Sequence, residues 1–106
     1  MPKYLIQASY TPEGVKGLLK DGGSKRRAAA AAAVKGLGGN LEVFYFAFGD
    51  TDVFAIADAP DNLSAAAVSL AVTASGAVHA KTTVLLTPED MDQVAKKTVS
   101  YRPPGT

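Results

Sequence analysis

The chain has 106 residues, of which 47% are hydrophobic and 20% charged, a composition that excludes intrinsic disorder and predicts a single globular domain. Its net charge of +1 provides no general attraction to nucleic acid or to an anionic membrane, so we expect neither as a partner. The absence of cysteine excludes disulfides, thiolate metal sites and cysteine nucleophiles.

The first predicted element is a strand from Lys3 to Tyr10, in which alternate residues share a face. Thr11, Pro12 and Glu13 follow it and supply an N-cap hydroxyl, a first-turn proline and a first-turn acid. This combination predicts that a helix starts here and runs to about Lys20.

A glycine pair interrupts that helix, and Ser24 is predicted to cap a second helical segment. The second segment continues through the alanines at 28–33 and stops at Gly38-Gly39, where glycine accepts a left-handed conformation. Alanine lets a helix lie close to a sheet but buries little area. A low-complexity linker is the alternative, and the cap and the glycine stop favour the helix.

The central stretch from Leu41 to Asp58 holds all four phenylalanines and predicts a β-hairpin. Its turn is predicted at residues 49–52, where glycine would supply a positive φ and aspartates would cap locally. Asp61 then caps a predicted helix that runs to Gly76, and Ala77 to Leu86 returns as the fourth strand.

A second threonine, proline and acid sequence at Thr87 starts a last predicted helix, which should end near Lys97. We expect one domain over residues 1–99 and a tail over residues 100–106. The element order is βαββαβ with an extra C-terminal helix, which predicts an α+β, ferredoxin-like fold with a four-stranded antiparallel sheet. Right-handed crossovers would place both main helices on one face, so a second copy of the chain is expected to cover the other.

The chain resembles the GYD-domain family, which is grouped with the dimeric α/β-barrels. The residues that carry this resemblance are Tyr4, Ile6, Tyr10-Thr11, Gly14, Ser24-Lys25-Arg26, Gly38-Gly39, Phe44-Tyr45, Gly49, Asp52 and Ala59-Pro60-Asp61. Thr51 stands where the family pattern has tyrosine, so only Gly49 and Asp52 of the name-giving motif carry over. The resemblance implies a dimeric α/β-barrel type of assembly, as a homodimer or higher homo-oligomer.

Gly49 and Asp52 have two interpretations, as turn geometry or as the rim of a ligand pocket. His79 is the only histidine, which excludes a multi-histidine metal site within one chain, and it is the candidate catalytic residue for proton transfer. Lys25-Arg26-Arg27, with Lys16 and Lys20, could bind phosphate or form a solvated helix end. No P-loop, nucleophile elbow or dinucleotide-binding glycine pattern occurs, so we expect no cofactor and no metal.

Two classes of function remain open. The first is a non-catalytic homo-oligomer that holds a small organic ligand or serves as an assembly module. The second is a cofactor-free enzyme, similar to a monooxygenase or isomerase, that acts on a small aromatic or carbonyl compound. Either pocket would be built from the candidate ligand-binding residues Tyr4, Gln7, Ser9, Tyr10, Tyr45, Gly49 and Asp52, together with His79. No basic-then-apolar leader and no apolar run of membrane-spanning length are present, so we expect a cytoplasmic protein.

Overall fold

The computed structural model describes residues 1–106 and contains four strands and four helices. The elements in chain order are β1 (Lys3–Tyr10), α1 (Pro12–Asp21), α2 (Gly23–Gly36), β2 (Asn40–Phe46), β3 (Val53–Asp58), α3 (Asn62–Ala74), β4 (Val78–Leu85) and α4 (Pro88–Ala95). The predicted order of elements is confirmed. No helix is both long and apolar enough to cross a membrane.

The four strands form one open sheet in the order β2-β3-β1-β4, and every neighbouring pair is antiparallel. Two crossovers connect β1 to β2 and β3 to β4, each through helices, which gives the predicted α+β, ferredoxin-like arrangement. The helix α2 packs on the outer strand β2, and α3 packs on the other outer strand, β4. The central strands β1 and β3 therefore lie beneath the space between the two helices.

Three of the four predicted helix caps are confirmed. The side chains of Thr11, Asp61 and Thr87 each accept a hydrogen bond from a backbone N–H in the first helical turn. The prediction that Ser24 caps α2 is wrong, because Gly22, at φ +83°, ends α1 and begins α2 without any side-chain cap. One glycine serves both helices, so Ser24 already lies inside α2.

The reversal between β2 and β3 is broader than predicted. It covers residues 47–52 and is closed by a hydrogen bond from the N–H of Ala47 to the carbonyl of Asp52, at 2.8 Å. Gly49 does not have a positive φ, so the predicted reason for glycine at this position is wrong. The chain distributes its change of direction over several residues and does not need one left-handed residue here.

The core beneath the helices is built from small side chains. Tyr4 is its only large, fully buried member, at 2% exposure, and most of the other buried apolar residues are alanines. The helix α4 makes no substantial packing contact with another helix or strand. The radius of gyration is 16.8 Å, compared with about 13 Å expected for a compact chain of this length. The C-terminal segment thus projects from a thinly packed body.

Gly14 and Gly17 in α1 provide a matched test of this packing. Gly14 is buried, and a Cβ there would overlap the carbonyl of Ala77, whereas a Cβ at Gly17 would meet no atom within 4 Å. We expect Gly14→Ala to lower the free energy of unfolding by about 1–3 kcal/mol, because the helix must move away from the chain at Ala77. Gly17→Ala should raise it by about 0.5–1 kcal/mol, because alanine favours the helix. Urea denaturation measures both, and equal effects of the two substitutions would contradict the close packing.

Candidate functional site

The main cavity lies between the sheet and its helices and has a volume of about 470 Å³. Of the 33 residues that line it, 23 are hydrophobic. Its floor is the helix-facing side of the sheet, where strand alternation places Tyr4, Ile6 and Ala8 of β1 on the same side. The cavity is therefore a mainly apolar space over the central strands.

Alanine is the reason that this space is open. The lining of α2 includes Ala29, Ala30 and Ala33, and the floor contributed by β3 includes Ala55 and Ala57. A helix packed on a sheet normally fills the layer between them with larger side chains. Here the alanine methyl groups of α2 do not reach those of β3, so the alanine run borders a cavity as well as forming a helix.

Tyr4 provides the buried polar group at the cavity floor. Its hydroxyl donates a hydrogen bond to Oδ1 of Asn62, at 2.6 Å, which ties β1 to the first turn of α3. Next to Asn62, Asp61 accepts a hydrogen bond from the N–H of Ser64, at 2.8 Å, and this bond lowers the pKa of Asp61 below its ordinary value. The Tyr4–Asn62 bond thus fixes the N-terminus of α3 over the sheet, and Asp61 caps that terminus.

The opposite face of the sheet, which we call the open face, has no helix packed on it. Strand register aligns Val43, Ile56, Leu5 and Thr83 in one row across all four strands. The next row contains Tyr45, Phe54, Gln7 and Lys81. Phe54 in this second row is 39% exposed. The open face therefore has an apolar centre with polar groups on the β4 side.

A three-residue charged cluster lies at the end of the sheet where β1 begins. The ammonium of Lys3 donates hydrogen bonds to the carboxylates of Glu42 and Asp58, the second at 2.9 Å. The bond to Glu42 is the main reason that the pKa of Lys3 is raised. The bond from Lys3 is likewise the main reason that the pKa of Asp58 is lowered. The cluster joins β1 to both strands of the hairpin.

The sequence-predicted site residues are divided between the two faces. Tyr4 and Tyr10 line the cavity. Gln7, Ser9 and His79 belong to the opposite alternation of β1 and β4, and Ser9 and His79 are directly paired. Tyr45, aligned with Phe54, is also on the open face. The predicted combination of His79 with a ligand between sheet and helices is therefore not formed within one chain.

His79 is exposed, and it lies between Val78 and Ala80, which both line the cavity. Because successive side chains of a strand point to opposite faces, the imidazole faces away from the cavity. A role for His79 in proton transfer stays a prediction, and it would have to operate on the open face.

Asp52 has a structural function in the reversal. Its Oδ2 accepts a hydrogen bond from the N–H of Tyr10, at 2.8 Å, and its own N–H donates to the carbonyl of Ala8, also at 2.8 Å. Ser9 adds a hydrogen bond from its hydroxyl to the carbonyl of Asp50, at 3.1 Å. Gly49 is exposed, and a Cβ there would meet nothing within 4 Å. These contacts support the turn interpretation of Asp52.

Sequence reasoning missed the residues that shape the cavity. The sequence contains the alanine run and predicts that α2 lies in close contact with the sheet. Only the tertiary structure shows that a space remains between α2 and the sheet. No group of three or more histidine, cysteine, aspartate or glutamate side chains is placed so that it could hold a metal ion.

Comparison with known proteins identifies one family. The family model described as GYD domain matches residues 4–95, which include all of the four strands except the first residue of β1 and extend through α4. No curated protein and no solved structure matches the chain.

The Lys3 cluster generates a prediction about pH. The hydrogen bond from Lys3 lowers the pKa of Asp58 in the folded protein. The ion pair therefore stabilises the fold fully above the pKa that this carboxyl has in the unfolded chain, and the stabilisation is lost as the pH falls through the pKa of the folded state. We expect Lys3→Met to destabilise the protein at pH 7 and to lose most of that effect near pH 2. Lys97→Met is the control, because Lys97 is exposed, lies outside the sheet and forms no ion pair. Denaturation at both pH values measures this, and a Lys3→Met effect independent of pH would contradict it.

Proposed function

The chain belongs to the GYD-domain family, and we propose that it is a homo-oligomeric protein that holds a small, mainly apolar organic molecule between its sheet and its helices. The observation that carries the proposal is the cavity of about 470 Å³ with its walls of alanine. This volume lies within the range of small-molecule sites, about 300–1,000 Å³. An apolar ligand would supply the contacts that the short side chains leave unmade.

The chemistry of the lining supports an apolar ligand over bound water. A buried water needs two to four polar partners, and most of the lining offers only methyl and methylene groups. The hydroxyl of Tyr4 already donates to Asn62, so it can only accept a further hydrogen bond from a ligand. The enzymatic alternative gains no support from His79, since that residue faces away from the cavity.

The open face supports the proposed homodimer. Its two central rows present Leu5, Val43, Ile56 and Phe54 without a covering helix. Soluble monomers rarely leave a contiguous apolar patch of this kind uncovered. Two copies packed face to face, with their sheets about 10 Å apart, would bury both patches.

Ligand binding is tested by filling the cavity from α2. Ala33 and its neighbour Ala32 are both exposed, but only Ala33 lines the cavity. We expect Ala33→Leu to weaken binding of the fluorescent probe anilinonaphthalene sulfonate at least tenfold, because the added atoms occupy the space. Ala32→Leu should bind the probe as the unchanged protein does. Fluorescence titration measures both affinities, and equal binding by the two variants would overturn the proposed site.

Dimer formation is tested on the open face. Phe54→Lys places a charge at the centre of the proposed interface, and we expect it to raise the dimer dissociation constant at least tenfold. Leu63→Lys is the control, because Leu63 is 82% exposed on α3, away from the open face. Sedimentation equilibrium gives both constants. A monomeric unchanged protein at micromolar concentration would overturn the proposed dimer.

A further inference from the structure

One charged side chain on the cavity wall has no partner in the chain. Arg26 is the only basic residue among those that line the cavity. It is half-buried, and its guanidinium forms no ion pair and no hydrogen bond with another group of the protein. An arginine offers five N–H donors in a planar fork. All five donors of Arg26 are therefore free for a ligand.

Arg26 lies on the same side of α2 as the alanines of the cavity wall. Residues 26, 29, 30 and 33 follow the i, i+3, i+4 and i+7 spacing of one helix face, and all of them line the cavity. Lys25 and Arg27 are each rotated from Arg26 by about 100° around the helix axis. Both are exposed, and neither lines the cavity. The basic cluster is therefore divided, with one member at the cavity and two in solvent.

Helix stability does not explain a cation at this position. The first turn of α2 holds no acidic residue, and Lys25, Arg26 and Arg27 all lie within the first five residues of the helix. The N-terminus of a helix carries partial positive charge, which disfavours cations and favours anions. An anion beside Arg26 would therefore relieve a repulsion that no group of the chain relieves.

We propose that the cavity binds an organic monocarboxylate, with its carboxylate on Arg26 and its apolar body along the alanines of α2. Arginine can bind a carboxylate through two parallel N–H···O hydrogen bonds. The lining of α2 extends from Arg26 to Leu37, about 16 Å along the helix axis, and beyond Arg26 it is entirely apolar. The charged end of the ligand would thus lie where α2 begins. The inference rests on the ligand site of the proposed function and adds the class of ligand.

The acids of the cavity lining limit the ligand to one negative charge. Glu13, Asp21 and Asp58 also line the cavity. Glu13 and Asp58 each have a lysine partner, whereas Asp21 forms no ion pair. One guanidinium neutralises one negative charge, so a second charge on the ligand would be repelled by the uncompensated carboxylate. A monocarboxylate therefore fits this lining better than a dicarboxylate or a phosphate monoester does.

The requirement for charge is tested with two probes that share one apolar body. Naphthalene-2-carboxylate and naphthalene-2-carboxamide have nearly the same shape, and only the first is ionised at pH 8. We expect the unchanged full-length protein to bind the carboxylate about tenfold more tightly, because hydrogen bonds between charged groups are stronger than those to a neutral amide. The phosphate monoester 2-naphthyl phosphate, a dianion at this pH, should bind more weakly than the carboxylate. Isothermal titration calorimetry gives the three dissociation constants.

Arg26 and Arg27 are a matched pair of positions for substitution. Arg26→Met should remove the preference for the carboxylate and leave the affinity for the carboxamide unchanged, because the apolar walls remain. Arg27→Met should keep the preference, because Arg27 does not line the cavity. Arg26→Lys should retain part of it, since an ammonium keeps the charge but loses the paired hydrogen bonds.

Equal affinities of the unchanged protein for the carboxylate and the carboxamide would overturn Arg26 as the binding residue. So would an equal loss of preference in Arg27→Met, or a loss of carboxamide binding in Arg26→Met, since Arg26 would then only shape the cavity. Tighter binding of the phosphate would overturn the assignment of a monocarboxylate.

Failure of the proposed function gives a different result. If Ala33→Leu leaves the affinity for the carboxamide unchanged, or if the unchanged protein binds neither naphthalene probe, the cavity site and the role of Arg26 are both overturned. If Ala33→Leu weakens both probes but the unchanged protein does not distinguish them, only the role of Arg26 is overturned.

Discussion

The small size of the side chains between the sheet and the helices is the constraint on which the rest of the structure depends. Alanines on α2 and β3 let the helices lie over the outer strands without filling the layer above the central ones. The buried core is consequently thin, with Tyr4 as its only large, fully buried side chain. Hydrophobic stabilisation grows with the apolar area removed from water, so this core contributes little for the length of the chain.

Directional polar contacts hold the elements where packing is thin. The N–H of Thr11 donates to the carbonyl of Ala77, at 3.0 Å, and the side chain of Thr11 caps α1. Tyr4 ties β1 to α3, and Asp52 ties the hairpin reversal to the end of β1. Apart from the cap of α1, each of these bonds joins parts of the chain that are distant in sequence. The geometry around the cavity is therefore set by hydrogen bonds as much as by apolar contact, which keeps the space open.

Strand alternation explains why the polar-tipped residues do not form one site. Tyr4 and Tyr10 occupy the helix-facing positions of β1, whereas Gln7 and Ser9 occupy the open face. The same rule separates His79 from its cavity-lining neighbours on β4. The cavity thus has the character of a binding site for an apolar molecule, and the open face has that of an interface.

The sequence by itself determined the order of the elements, the caps at Thr11, Asp61 and Thr87, the stop at Gly38 and the family. The caps and the stop depend on local dihedral preferences and on hydrogen bonds that span three or four residues, so a short window of sequence contains them. Only the tertiary structure decided that Gly22 serves two helices and that Lys3 joins Glu42 and Asp58. It also decided that the alanine run borders a cavity, because the distance between α2 and the sheet results from contacts among elements far apart in the chain.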